Sequence, residues 1–151
     1  MAEYDIGGPY LAAAVFCEKV LQEKDGVASI IRVVDRLIIT ASGPEPPEKM
    51  PPFTLRTTVF LSFKSGIAKG SATVKFIPTD PDRRRLTPET LLPVFFEGDD
   101  RGADVVAEVT LQVKQEGLYW FEVWLDERLV TKMPLRVVYQ RMRLGTQPGP
   151  A

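Results

Sequence analysis

Strict period-two alternation of apolar and polar side chains limits how this chain can fold more than any other feature. From Phe53 to Lys64, one side reads Phe53, Leu55, Thr57, Val59, Leu61 and Phe63, and the other Thr54, Arg56, Thr58, Phe60, Ser62 and Lys64. That period turns one face of an extended strand to a core and the other to water, whereas a helix repeats every 3.6 residues. A second run sets Val105, Ala107, Val109, Leu111 and Val113 against Glu108, Thr110, Gln112 and Lys114. Thirteen prolines and eleven glycines punctuate these runs and leave little room for a long helix. Gly66 and Gly70 bracket an expected turn, after which Ser71–Ile77 is a shorter strand ending at Pro78. The apolar run Leu91–Phe96 is followed by a further expected turn, Gly98-Asp-Asp-Arg-Gly102.

The last hairpin is legible to the residue. Tyr119, Phe121, Val123 and Leu125 alternate with Leu118, Trp120, Glu122 and Trp124. After Asp126-Glu-Arg128, the residues Leu129, Thr131, Met133, Leu135, Val137 and Tyr139 alternate with Val130, Lys132, Pro134, Arg136 and Val138. A three-residue loop sets Leu125 opposite Leu129, Phe121 opposite Met133 and Tyr119 opposite Leu135. A two-residue loop would instead place Lys132 on the apolar face, so side-chain pairing selects the register. The chosen register also places Glu122 opposite Lys132 on the outer face, as a cross-strand ion pair.

The N-terminal third carries two patterns. Ala13, Phe16, Cys17, Val20 and Leu21 fit helical spacing, while Asp25-Gly26 between apolar runs is a hairpin signal. The β-branched stretch Ile30–Thr40 favours strands. The expectation is a strand over Tyr10–Phe16, at most a helical turn near Glu18–Gln22, and then one long strand. Seven to eight short strands with at most one short helix point to an all-β, antiparallel two-sheet sandwich, with an open barrel as its competitor. One domain over residues 10–141 is expected, with flexible residues 1–9, a flexible proline-rich crossing at 41–52 and a disordered tail at 142–151.

Composition removes most familiar chemistries. The 151 residues include no histidine and one cysteine, so no imidazole acid–base pair, Cys/His zinc site or internal disulfide can form. The formal charge of −1 argues against a broad nucleic-acid surface. No run is long and apolar enough for a helical membrane span, and residues 1–8 do not read as a secretory signal. The expected setting is the cytoplasm, without membrane, nucleic acid or cofactor. Phosphate-loop motifs and a Ser-x-x-Lys pair are missing from the sequence, and no two acids are set at one cleft by the strand pattern.

Two segments carry a resemblance. Tyr10-Leu-Ala-Ala-Ala-Val-Phe-Cys-Glu-Lys-Val20, with Asp25-Gly26 and Ile31-Arg-Val-Val-Asp-Arg-Leu37, resembles the opening of a family of small uncharacterised bacterial proteins. Gly117-Leu-Tyr-Trp-Phe-Glu-Val-Trp-Leu-Asp126 with Met133-Pro-Leu-Arg-Val137 is similar to the C-terminal hairpin of the same family. The resemblance implies an immunoglobulin-like sandwich in a bacterial cytosol. It transfers no catalytic or binding residue. Gly117-Leu-Tyr119 also resembles the tyrosine corner of such sandwiches, where a Tyr hydroxyl bonds to upstream backbone.

Candidate sites follow from what is left. Trp120, Glu122 and Trp124 share the outer face of the last hairpin and, with Val130, Val138 and Phe60, would make an aromatic interaction patch if uncovered. The competing reading covers that face and makes both tryptophans ordinary core. Lys132 belongs to the same face. Arg83, Arg84 and Arg85 in Asp80-Pro-Asp-Arg-Arg-Arg85 would clamp an anion or an acidic peptide, or else be a solvated loop. Asp99, Asp100 and Asp104 read as solvated turn formers more readily than as a calcium loop. Cys17 is expected to be buried and structural, and Asp35 to form an ion pair with Arg32 or Arg36. The functional expectation is a non-enzymatic protein that works by protein–protein contact or self-association, through a sheet edge or the Trp face. The alternative is a small-ligand or carbohydrate-binding module stacking on Trp120 and Trp124.

Overall fold

The computed structural model describes residues 7–144. Among these residues the fold is all β, with seven strands and no helix: β1 (Tyr10–Gln22), β2 (Ala28–Val34), β3 (Arg36–Gly43), β4 (Phe53–Thr79), β5 (Thr90–Val113), β6 (Gly117–Leu125) and β7 (Arg128–Arg143). The strands form one mixed sheet in the order β2-β1-β4-β6-β7-β3, and β5 joins it off that path by pairing with β4. The sheet is not closed. Its two ends, β2 and β3, are consecutive in the chain and separated only by Asp35, where the backbone leaves β1 and crosses to β7. Because the crossing segment keeps its direction, β3 lies parallel to β7, and the sheet is mixed where an antiparallel one was expected.

The turns expected at Gly66–Gly70 and Gly98–Gly102 are not reversals. β4 and β5 run through them as a single pair, and their ladder shifts register between Lys64 and Gly66 and again between Gly66 and Lys69. Bulges of this kind bend a strand, and here the bend is large. Phe16 of β1 sits beside Val59 of β4, and Phe121 of β6 beside Pro78. A straight strand would separate positions 59 and 78 by about 60 Å, yet the Phe16 and Phe121 rings meet edge to face at 4.9 Å. β4 must therefore fold back on itself near Gly66. Phe63 and Phe96 meet in the same geometry at 5.9 Å.

Local packing explains why the bend sits there. Gly66 adopts φ +60, and an added Cβ would lie 2.2 Å from the Gly7 carbonyl oxygen. That carbonyl accepts a bond from Ile67 N at 2.8 Å, so residues 7–9 are docked against the bend. Ser65, fully buried, donates from its hydroxyl to Arg101 O at 2.8 Å and ties the two strands together there.

Alternation predicts the core well. Leu55, Val59, Leu61 and Phe63 are buried on β4, and Val105, Ala107, Val109, Leu111 and Val113 on β5. Phe60 departs from the pattern, being buried from the opposite face. No helical turn forms at Glu18–Gln22; instead residues 19–22 pair with 28–31 of β2 across the Asp25-Gly26 turn. Residues 44–52, beyond the end of β3, are held to β7 by bonds from Tyr139 Oη to Pro47 O (2.6 Å) and from Arg141 to Pro46 O (3.1 Å). β7 extends through Arg143, and Leu144 N bonds to Gly43 O, so 142–144 belong to the folded body. The expected tail at 145–151 and the first six residues lie outside the described residues.

Gly66→Ala is expected to lower stability by more than the ~1–2 kcal/mol of left-handed strain alone, because it also drives a methyl into the Gly7 backbone. Gly26→Ala shares the positive φ but meets no atom within 4 Å, and should cost the strain only. Chemical denaturation of both variants checks this, and equal losses would contradict it.

Candidate functional site

The register of β6 on β7 decides which outward side chains stand together. Tyr119 opposes Leu135, Phe121 opposes Met133 and Glu122 opposes Lys132, as read from the side-chain pattern. The loop itself differs from expectation. Leu125 opposes Arg128, leaving Asp126 and Glu127 as a two-residue turn with Asp126 at φ 50, and a bulge between Val123 and Trp124 takes up the extra residue. The bulge corrects the parity that a two-residue loop would otherwise impose. Asp126 fastens the turn to β4, accepting from Thr73 N on Oδ1 at 2.9 Å and donating from its own N to Thr73 O at 2.8 Å.

Glu122 does not form the expected ion pair with Lys132. Its carboxylate meets the Arg85 guanidinium at 3.5 Å, reaching over from the segment that joins β4 to β5. That segment is a built turn. Asp80 N donates to Arg84 O, Arg83 N to Asp80 O, and Arg84 N to Asp80 Oδ1, each at 2.9 Å, while Leu86 N reaches Pro78 O at 2.8 Å. A β-bridge from Thr79 to Arg85 closes it, with Arg83 in the left-handed region at φ 65.

The result is one concavity of about 580 Å³ lined by Thr79, Arg83, Arg85, Trp120, Glu122 and Lys132. Two sequence segments, the arginine run and the outer face of the last hairpin, thus form one site. The other two candidates fall outside it. Arg84 lines a neighbouring cavity of about 540 Å³ with Asp80, Asp82 and Tyr119 among others, and Arg85 borders both hollows. Trp124 is only partly exposed, with its indole N–H enclosed and unpaired. Trp120 is 38% exposed. The two rings are therefore not an equivalent pair, and Phe60, being buried, is no part of the patch. Only the placement of the 79–86 turn could have joined Arg85 to Glu122, and nothing in the local sequence pattern signals it.

The remaining candidates resolve individually. Asp35 is exposed, Arg32 pairs with Glu18 at 3.3 Å, and among the described residues neither Arg32 nor Arg36 forms the expected ion pair with Asp35. The Asp35 carbonyl accepts from Arg136 N at 3.3 Å. Cys17 is 1% exposed, and burial pushes its thiol pKa up. Asp99, Asp100 and Asp104 are exposed along the β4–β5 bend. Among the described residues no three His, Cys, Asp or Glu side chains gather in a way that could hold a metal. Tyr119 behaves as its sequence context suggests, donating from Oη to Gln115 O at 2.6 Å.

No protein-family model matches the chain, and no curated protein matches it. Two solved structures of a β-glucosidase from Listeria innocua are similar to it in part. The one in complex with glucose gives a TM-score of 0.45 at 14% identity over 85% of this chain, and the one in complex with isofagomine 0.43 at 13% over 93%. The chain spans 17% and 18% of those two chains. The likeness is distant and partial. The fold alone defines a small all-β domain, and the comparisons assign it no family.

Tyr119→Phe is expected to cost about 1–2 kcal/mol, since it leaves the Gln115 carbonyl without its donor. Burial, with the Asp80 and Asp82 carboxylates acting in the same direction, raises the Tyr119 pKa. The folded state therefore keeps this proton after the unfolded chain has lost it, so wild-type stability falls as pH rises above about 10. The variant should lack that part of the fall. Denaturation at neutral and alkaline pH reads both effects, and parallel pH profiles would contradict the assignment. Cys17 should resist an aromatic disulfide reagent until the chain unfolds, and rapid labelling of folded protein would contradict its burial.

Proposed function

We propose that the protein is a non-enzymatic, immunoglobulin-like β-sandwich of the cytoplasm that works by contact with another protein through the outer face of the β6–β7 hairpin. The folding back of β4 supports the layered reading: it brings the β1 side of the sheet against the β6 side, with Phe16 and Phe121 packed between them. The contact reading rests on one observation, the gathering of an exposed indole with Arg83, Arg85 and Lys132 around a single concavity. Tryptophan and arginine are the residues most enriched where binding energy concentrates at protein interfaces. The free edge of β2 is less suited to the role. The outer strand β2 carries Arg32 at φ 54, which interrupts the regular backbone that an added strand would need.

A carbohydrate-binding role would draw on stacking by both tryptophans, and only Trp120 presents a substantially exposed ring. A photocrosslinking residue placed at position 120 in the source cells is expected to give discrete protein adducts, while the same residue at exposed Glu89, outside the concavity, should not. Absence of adducts at 120, together with saturable quenching of Trp120 by a soluble sugar, would replace this reading with the carbohydrate one. Trp120→Ala should leave stability within about 0.5 kcal/mol, as expected of an exposed site. Trp124→Arg, by contrast, puts a charge into a partly covered position and should destabilise the fold.

A further inference from the structure

We infer that the concavity bounded by Arg83, Arg85, Trp120 and Lys132 receives an acidic peptide segment of a partner protein, with two of the partner's carboxylates meeting Arg83 and Lys132. This inference rests on the contact reading above and adds the chemistry of the occupant. Three cations line the concavity against a single carboxylate, Glu122. Glu122 is engaged by Arg85. Arg83 and Lys132 have no ion-pair partner among the described residues. The site thus carries two uncompensated positive charges in a chain whose formal charge is −1.

The arginines stand on a preformed base. Three backbone hydrogen bonds and a fourth from Arg84 N to the Asp80 carboxylate close the turn, so an incoming ligand need not order it. Arg83 holds a backbone conformation that is unfavourable for a residue with a long side chain and easier for Asn. Arg83 is therefore not the residue that best suits the turn, and its guanidinium is the part that the fold leaves unused.

The same hydrogen bonds select a carboxylate ligand over a phosphate. Phosphate cradles present several free backbone N–H groups to one anion. Here the N–H groups of Asp80, Arg83, Arg84 and Leu86 are already spent within the turn. What remains is a set of side-chain cations spread over two separate elements, with an indole among them. That arrangement suits spaced carboxylates on aliphatic stems, the stems lying against Trp120. A single stacking ring and two free cations make a short path for a nucleic-acid backbone.

The test titrates the full-length protein with a short Asp/Glu-rich peptide, its Asn/Gln counterpart, oligothymidylate and inorganic phosphate, following Trp fluorescence with Trp120→Phe as the control. The acidic peptide should give saturable quenching that vanishes in Trp120→Phe and weakens with added salt, and the amide peptide should give none. Arg83→Asn and Lys132→Gln should each weaken binding about threefold to fivefold, in line with single exposed ion pairs, while the melting temperature of Arg83→Asn stays unchanged or rises. The pair Arg83→Glu with Lys132→Glu should reverse the preference toward a Lys-rich peptide. Equal binding of the two neutral and acidic peptides, no response to the variants, or tighter binding of oligothymidylate or phosphate would overturn the inference. Protein adducts at position 120 without acidic-peptide binding would overturn the acidic occupant and leave the contact reading standing; neither adducts nor binding would remove both.

Discussion

The edge-to-face contact of Phe16 with Phe121 depends on a fold-back of β4 that hydrogen bonding along a flat sheet would never produce. β1 and β6 are each paired to β4, but at positions far apart along it, and only the bend near Gly66 lets their side chains share one core. The bend needs a residue without a Cβ, because the Gly7 carbonyl occupies the space a methyl would take. Most of the large buried side chains, Phe63, Phe76, Phe121, Leu61 and Leu135 among them, lie in the single core that results.

The candidate site follows from where β4 ends beside β6. The turn at 80–86 joins the far ends of β4 and β5, and β6 pairs with that far part of β4 through Val74–Thr79. A turn leaving Thr79 therefore emerges beside Trp120, its pairing partner across the ladder. Arg85 then lies within reach of Glu122, and Arg83 and Lys132 fall on the rim of the same hollow. The cations meet the indole because of where two strands end.

Much of this architecture was legible in advance, and the failures have identifiable causes. The pairings Tyr119–Leu135, Phe121–Met133 and Glu122–Lys132 could be read from alternation, because one buried face permits only one parity. The loop length could not, since a bulge restores the parity that a shorter loop disturbs. Gly66, Gly70, Gly98 and Gly102 resembled turn signals, and glycine in a strand marks a reversal or a bulge with the same residue type. Which of the two occurs was settled by the ladder that β5 keeps with β4 on both sides of the bend. Register alone pairs Glu122 with its cross-strand neighbour Lys132, because it sees only the hairpin. Arg85, contributed by a distant turn, offers a guanidinium that the pattern cannot place.

By itself, the sequence determined that the chain is all β, which side of the main strands is buried, that Cys17 is inside and that no histidine-based chemistry is available. Those properties depend on residue type and on near neighbours along the strand. Only the tertiary structure decided that β4 folds back, that β2 and β3 occupy opposite ends of one mixed sheet, that Trp120 is exposed while Trp124 is largely covered, and that Arg83, Arg85 and Lys132 share one hollow. Each of these is a relation between different segments, fixed by strand pairing and packing, and period-two alternation carries no information about it.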